Sequence, residues 1–190
     1  MLSEDYAIVL DYLPHGKSSD FKEEPLAQLL GETHFSLLEA VPLTVLKPLE
    51  RAYIGKDKRD KIQLIKRRVN YDGLTSNAKN ELANAIGSLI SDNPEKFLDF
   101  FNSSGPISIK RHFLELLPGM GKKHIKQVLD ERDKGKFTSF EDIRKRVPGM
   151  IDPVRLVTRR IIEEMGSPDE KHYLFARPPK TEKTGQFRKD

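Results

Sequence analysis

Two patterns of apolar and polar residues follow one another along the chain and change near residue 73. In the first part, short apolar runs alternate with turn signals, and residues 6–13, which are rich in β-branched and aromatic side chains, predict a buried first strand. Residues 34–41 place apolar side chains at alternate positions, and 61–71 fit a strand or a helix, with the strand favoured. Several short strands at this spacing predict a small antiparallel β-barrel over residues 1–73, with an OB-fold as the leading candidate.

After residue 73 the apolar spacing becomes helical. Thr75 or Ser76 can cap a first helix, and Asn93-Pro94 begins a second one with proline at its first helical position. Together they predict a helical connector over residues 74–105. The apolar positions of the first helix are Ala78, Leu82, Ala85, Ile86, Leu89 and Ile90.

The stretch 116–123, Leu-Leu-Pro-Gly-Met-Gly-Lys-Lys, carries the clearest chemistry. Apolar helical patterns run into it and out of it, which predicts two helices joined by a tight turn. A helix start presents free backbone amides and the positive end of a dipole, and glycine lets an anion come close. We therefore expect a phosphate-binding turn at residues 119–123. The alternative is an ordinary turn between helices, since glycine commonly follows a helix.

An internal repeat follows at an offset of 30 residues. Residues 147–150, Val-Pro-Gly-Met, echo the Leu-Pro-Gly-Met of 117–120, and each copy precedes a helix. The second copy is degenerate, because Ile-Asp-Pro at 151–153 replaces the Gly-Lys-Lys of 121–123. We expect it to be partly structural, with a weaker phosphate contact open to the arginines of its helix. The pair predicts an all-helical tandem hairpin domain over residues 106–176.

The last part of the chain changes texture again. The helix opened by Asp152-Pro153 is expected to end at Gly166, and residues 172–175 form a short strand or a docking segment. From Arg177 the sequence is rich in Pro, Lys and Thr, so residues 177–190 are expected to be a flexible tail.

The composition narrows the function classes. The chain has 190 residues, 33% of them charged, and no cysteine, which excludes disulfide scaffolds, thiolate zinc sites and thiol nucleophiles. The beginning of the sequence does not resemble a signal peptide, and no apolar run has membrane-spanning length. We expect a cytoplasmic protein that does not act at a membrane.

The net charge of +4 is unevenly distributed. Residues 47–72 carry nine basic and four acidic side chains, and residues 106–166 carry fourteen and nine. Each block is therefore at +5, which suggests two surfaces that could contact a polyanion. In the first block Tyr53 is interleaved with cations. It either stacks on a nucleobase or packs in the core with an exposed hydroxyl, and both readings stay open.

Motifs of other chemistries are missing from the sequence. The five histidines are scattered without metal-ligand spacing, and there is no P-loop, dinucleotide fingerprint or nucleophile elbow. The acidic residues near the beginning of the chain show no metal-ligand spacing on one element. We expect no catalytic centre, no cofactor and no metal.

The hairpin sequence resembles the helix-hairpin-helix family, whose turn reads apolar-apolar-x-Gly-apolar-Gly before the second helix. Leu116, Leu117, Gly119, Met120 and Gly121 match position by position. The resemblance implies binding to the sugar-phosphate backbone without sequence readout. Paired units of this family form a compact domain, often with one better phosphate binder. The chain departs from the family pattern at Ile125, where the family often has alanine.

A wider resemblance covers the chain up to about Phe175. The ordered segments 50–56, 65–68, 100–102, 116–123 and 139–143 are similar to an uncharacterised archaeal family. That family joins an OB-like N-terminal domain to a C-terminal helix-hairpin-helix domain. The resemblance implies this architecture, an archaeal source and nucleic-acid binding, but no established activity.

The sequence therefore predicts an α+β protein that binds DNA or RNA through backbone contacts and is not an enzyme. A protein-interaction module is the alternative, and a nucleic-acid-processing enzyme would need a carboxylate cluster that the sequence does not show. The expected nucleic-acid-binding residues are Gly119, Met120, Gly121, Lys122, Lys123, Lys126, Gly149, Arg155 and Arg159 in the hairpins, and Tyr53, Lys56, Lys58, Arg59, Lys66 and Arg68 in the barrel.

Overall fold

The computed structural model describes residues 4–17, 23–167 and 169–176. The tail predicted over 177–190 lies outside these ranges. The chain forms two compact units, Met1–Ser76 with Glu164–Asp190, and Asn77–Glu163. The expected division at residues 73 and 105 stays a prediction. The α+β class is confirmed, with a curled five-stranded antiparallel sheet and five α-helices.

The first unit contains the five-stranded sheet, in the order β4-β1-β2-β3-β5 with every pair antiparallel. Irregularities in register occur between β1 and β2 and between β3 and β5, where such bulges increase strand twist and curl the sheet into a half-barrel. Residues 61–71, which fitted two readings, contain a strand. The strands are β1 Tyr6–Leu13, β2 Leu26–Gly31, β3 Leu37–Pro42, β4 Arg51–Tyr53 and β5 Ile62–Arg68.

Alternate residues of these strands fill the inside of the half-barrel. Small side chains such as Ala7, Ala27 and Ala40 let the strands curl around larger neighbours. The alternation predicted over 34–41 falls on Phe35, Leu37 and Val41, whereas the β3 residues in this cluster are Leu38 and Ala40, so the strand is present but the opposite parity faces the cluster. The cluster consists of Ala7, Val9, Ala27, Leu29, Leu38, Ala40, Leu46, Ala52, Ile54 and Ile62.

The other face of β2 and β3 buries a polar pair, Gln28 directly opposite Glu39. Glu39 accepts hydrogen bonds from Gln28 at 3.1 Å and Arg67 at 2.7 Å, and pairs with Lys17 at 2.5 Å. Burial opposes ionisation of Glu39, but the hydrogen bonds from these three partners outweigh it. The pKa of Glu39 therefore lies below its ordinary value of 4.5.

A second buried carboxylate, that of Glu4, organises the connection between β2 and β3. It accepts hydrogen bonds from the backbone amides of Thr33, His34 and Ser36 at 2.8–3.2 Å. Gly31 lies directly beneath it, and a Cβ there would come within 2.2–2.5 Å of the Glu4 side chain. Glycine at this position is therefore required by the carboxylate above it.

A third buried carboxylate, Glu164, holds the segment at 172–176. Its oxygens accept from the amides of Leu174, Phe175 and Ala176 at 2.7–3.0 Å. The segment makes no strand in the described part of the chain. Of the two expectations for residues 172–175, docking is therefore the one observed.

The second unit is mainly helical. All six predicted apolar positions of its first helix are buried, which confirms that helix face. The second helix begins one residue later than expected, with Pro94 at its N-cap. The α-helices are α1 Ser76–Asp92, α2 Glu95–Ser103, α3 Lys122–Lys134, α4 Phe140–Arg146 and α5 Pro153–Gly166, the first and last of which reach into the first unit.

The prediction of an all-helical fold over 106–176 is wrong at its start. Strands β6, Pro106–Ser108, and β7, Arg111–His112, pair antiparallel, and the first helix of the first hairpin is only a 3₁₀ turn, Phe113–Leu116. The paired strands occupy the chain up to His112, which leaves only the five residues 113–117 before Pro118, too few for more than a short helical turn. His112 instead caps the 3₁₀ turn, accepting from the Leu114 amide at 3.1 Å.

Candidate nucleic-acid interface

The first predicted turn spans Leu117–Met120. The Met120 amide donates to the Leu117 carbonyl at 2.9 Å, proline occupies the second position, and Gly119 has φ of +95° at the third. These are the features of a type II β-turn, which requires a residue that tolerates positive φ at its third position. Leu117 and Met120 are buried and anchor the turn in the unit.

The second turn, Val147–Met150, repeats this geometry. The Met150 amide lies 3.5 Å from the Val147 carbonyl, and Gly149 has φ of +80°. The helix that follows starts one residue later than in the first copy: α3 begins two residues after Met120, whereas α5 begins three residues after Met150. The internal repeat is thus structural, with Ile151 as the additional residue.

The two turns lie beside each other. A Cβ on Gly119 would come within 2.7 Å of the Ile151 Cδ1 atom, and a Cβ on Gly149 would lie 3.9 Å from the His124 Nε2 atom. Ile151 therefore packs where only a glycine leaves room, and each turn faces the opposite hairpin. Gly149, expected to touch phosphate, contributes to this packing.

The two helix starts differ in how their amides are used. Asp152 accepts from the amides of Val154 and Arg155 at 2.9 and 3.2 Å, so a carboxylate already occupies the start of α5. The N-cap of α3 is Gly121, which has no side chain to cap the helix, and a Cβ there would meet nothing within 4 Å. An anion can approach the start of α3, whereas at α5 the amides are already taken by Asp152, whose other oxygen pairs with Arg144 at 2.5 Å.

Five cations on α3 and α5 are exposed. Among the described residues, none of their side chains lies within ion-pair distance of a carboxylate, whereas Lys134, the last residue of α3, and Arg146 of α4 both pair with Glu131. Arg159 was expected to serve the second hairpin, but its Nη1 atom lies 3.7 Å from where a Gly119 Cβ would be. It therefore belongs to the first turn. The exposed cations are Lys122, Lys123, Lys126, Arg155 and Arg159.

The barrel residues of the prediction lie in the first unit. Tyr53 is half-buried: its ring meets that of Tyr6 edge-on at 5.2 Å, and its hydroxyl is 3.2 Å from both the carboxylate and the amide of Asp57. Arg59 donates to the Gly55 carbonyl at 2.8 Å and closes the same loop. Tyr53 thus supports the loop after β4, and it is neither a fully exposed ring free to stack on a base nor a core residue with an exposed hydroxyl.

The remaining cations of the barrel are more accessible. Lys56 and Lys58 are exposed in the loop after β4, and Lys66 is exposed on the edge strand β5. Arg68 is half-buried and lines a cleft of about 450 Å³. The predicted barrel set therefore divides between one loop and one edge strand.

Sequence reasoning missed the cations that line the same cleft. Lys17 and Arg67 lie there with Arg68, and both are bound to the buried Glu39. Their charge is therefore partly neutralised from below. Glu39 sits inside an apolar run, so only its pairing opposite Gln28, a polar residue in the neighbouring run, could have indicated this network.

In the part of the chain that the structure describes, no helix is long and apolar enough to cross a membrane. Within residues 4–17, 23–167 and 169–176, no three His, Asp or Glu side chains are grouped as metal ligands would be.

Comparison with known proteins places the chain in a family. Residues 3–177 match the family described as "Protein of unknown function (DUF655)". The uncharacterized protein MJ0038 of Methanocaldococcus jannaschii is 41% identical over 177 residues, which are 92% of this chain and 80% of that protein. The crystal structure of Af1531 from Archaeoglobus fulgidus has a TM-score of 0.85 at 44% identity, covering 92% of this chain and all of that one. The chain belongs to the DUF655 family of uncharacterised archaeal proteins.

Proposed function

We propose that this protein binds the sugar-phosphate backbone of nucleic acid at the turn 117–121 and the start of α3, and that it acts as a binding protein and not as an enzyme. The contrast between the two hairpins carries the proposal. The start of α3 has no side-chain cap, and Lys122, Lys123 and Arg159 beside it have no ion pair with any described residue, whereas Asp152 fills the same position at α5. At α3 a phosphate oxygen of the bound nucleic acid would accept the hydrogen bonds of the first helix amides, as the Asp152 carboxylate does at α5.

The proposal assigns the paired turns to the helix-hairpin-helix type and the curled sheet to an OB-like barrel. Two related turns with positive-φ glycines, packed against each other, support the first assignment. The five-stranded antiparallel half-barrel supports the second. In the barrel, Lys56, Lys58 and Lys66 would make phosphate contacts of their own.

The expected binding mode is electrostatic and carries little sequence information. A phosphate held by the α3 amides lies beside Lys122, Lys123 and Arg159, and each neutralised phosphate releases counterions. On B-DNA the logarithm of affinity then falls with the logarithm of salt with a slope of about −0.9 per phosphate. Contacts of this kind fix position and orientation but leave the bases unread.

The test compares two charge reversals on one helix. Lys122→Glu with Lys123→Glu changes the start of α3, and Lys134→Glu with Lys136→Glu makes the same net change near its other end, about 20 Å away at 1.5 Å per residue. Fluorescence anisotropy with labelled single-stranded and duplex DNA and RNA is measured over a salt series. Circular dichroism verifies that both variants keep the native fold.

The first variant should lose affinity by roughly 10- to 100-fold at low salt, with a salt slope smaller by about two, because two phosphate contacts are removed. The second should bind with nearly the affinity of the native protein, since its lysines lie away from the phosphate seat, which is the turn 117–121 with the first amides of α3. Unchanged affinity in the folded first variant, or equal losses in both, would refute the hairpin seat. The preferred probe distinguishes DNA from RNA.

A further inference from the structure

The hairpin β6–β7 presents one apolar side chain at its tip. Ile109 is 105% exposed, the most exposed large apolar side chain in the described part of the chain. It is followed by Lys110 and Arg111, both exposed and without an ion pair among the described residues. An apolar tip next to two cations differs from a solvated turn, where polar residues would normally stand.

This hairpin is fixed to the phosphate seat. Phe113 donates its amide to the Gly105 carbonyl at 3.0 Å and closes the base of the hairpin. His112, the last residue of β7, caps the 3₁₀ turn through the Leu114 amide, while Glu115 accepts from the His112 amide at 2.8 Å. The tip therefore continues directly into the element that leads to the turn at 117–121.

The tip and the seat fit one nucleic-acid footprint. Leu117 lies eight positions after Ile109 in the sequence, and a fully extended chain of eight residue steps spans about 27 Å. The folded path is shorter, because it includes a 3₁₀ turn and a strand reversal. That distance corresponds to roughly eight base pairs or fewer of duplex at 3.4 Å per step.

We propose that Ile109 is a wedge that inserts at a base step of duplex DNA bound at the turn 117–121. The inference rests on the proposed function and adds that binding unstacks the bases at one step. Lys110 and Arg111 would draw the tip to the phosphates on either side. The apolar surface available there is the face of a base pair, which architectural proteins reach with Ile, Leu or Phe at flexible steps.

The experiment uses the full chain and a short DNA duplex carrying a 2-aminopurine at a central TA step. The fluorescence of 2-aminopurine rises when the base loses its stacking partners. Ile109→Ser removes the wedge and leaves Lys110 and Arg111 in place. Val45→Ser is the matched control, because Val45 is also an exposed apolar residue, at 72%, but lies in the first unit.

The native protein and the Val45→Ser variant should raise the fluorescence of the saturated duplex several-fold. The Ile109→Ser variant should bind with an affinity within a few-fold of native, because the backbone contacts remain, but should abolish most of the rise. Binding without a rise in the native protein, or an equal rise in the Ile109→Ser variant, would overturn the wedge while leaving the seat intact. A rise confined to an RNA duplex of the same sequence would overturn the DNA assignment.

Failure of the proposed function gives a different result. If native protein binds none of the single-stranded or duplex DNA and RNA probes at low salt, the seat and the wedge are both refuted, whereas binding to single strands alone refutes the wedge and leaves the seat. If the wedge alone is wrong, the Lys122→Glu with Lys123→Glu variant still loses affinity relative to native protein.

Discussion

Giving α3 the cap that α5 already has should make the protein more stable and its binding weaker. Gly121 has φ of −80° and ψ of 156°, an extended conformation that any residue can adopt, and a Cβ there has open space. The substitution Gly121→Asp would place a carboxylate over the first amides of α3, as Asp152 lies over those of Val154 and Arg155.

The two effects can be estimated separately. Replacing a glycine N-cap by aspartate, with the favourable dipole interaction, should stabilise the fold by about 0.3–1 kcal/mol. For a chain of this size, that raises the melting temperature by roughly 1–4 °C. A carboxylate about 5 Å from a bound phosphate should weaken binding by about 1–3 kcal/mol at effective dielectric constants of about 20–80, or roughly 5- to 150-fold.

Calorimetry and anisotropy on the same samples measure both changes. Gly121→Asn is the control, because asparagine caps a helix about as well as aspartate without adding charge. It should show a similar gain in stability and a smaller loss of binding. If Gly121→Asp is more stable than native protein but binds duplex equally well at low salt, the α3 amides are not the phosphate seat.

Two further predictions concern the groups that organise the units. Gly31→Ala should displace the Glu4 carboxylate, so that the backbone amides bound to it lose their acceptor. The free energy of unfolding, measured by urea titration, should fall by about 2–4 kcal/mol. Adding Glu4→Ala to this variant should lower it little further, and additive losses would contradict this reasoning. Burial, with the nearby Arg132 charge, holds the pKa of His112 below its ordinary value of 6.5, so the folded state favours the neutral ring. Its contribution to stability should be complete above pH 6.5 and be lost as the pH falls from there through the lower folded pKa; His112→Asn should flatten that part of the stability profile, and an unchanged profile would refute the assignment.

The periodicity of apolar residues predicted those helices and strands whose pattern is contained within their own sequence. The α1 face from Ala78 to Ile90 and the strand over 6–13 are long enough for their pattern to be unambiguous. The repeat of 117–120 at 147–150 was also visible, because both turns need a glycine at the same position.

Features that depend on contacts distant in sequence could not be predicted in this way. Glu4 and Glu39 are charged residues in or near apolar runs, and their burial depends on partners 11 to 32 residues away along the chain. Ile151 shifts the second helix start by one residue, so a gap-free comparison of the two copies aligned Asp152 with Lys122. Arg159 lies beside the first turn only because one hairpin packs against the other, which the sequence does not show.

The buried carboxylates at the two ends of the described chain also define how far the domain can be shortened. Glu4 is the first described residue, and the amides bound by Glu164 end at Ala176. The family match runs from residue 3 to 177 and so encloses both sets of bonds with one residue to spare at either side. A chain shortened to begin at residue 5 would leave three amides of the β2–β3 connection without an acceptor, and one ending at 173 would leave Glu164 without its three donors. In this chain, the shortest segment that keeps both carboxylates bonded is thus set by hydrogen bonds at its margins rather than by the limits of its helices and strands.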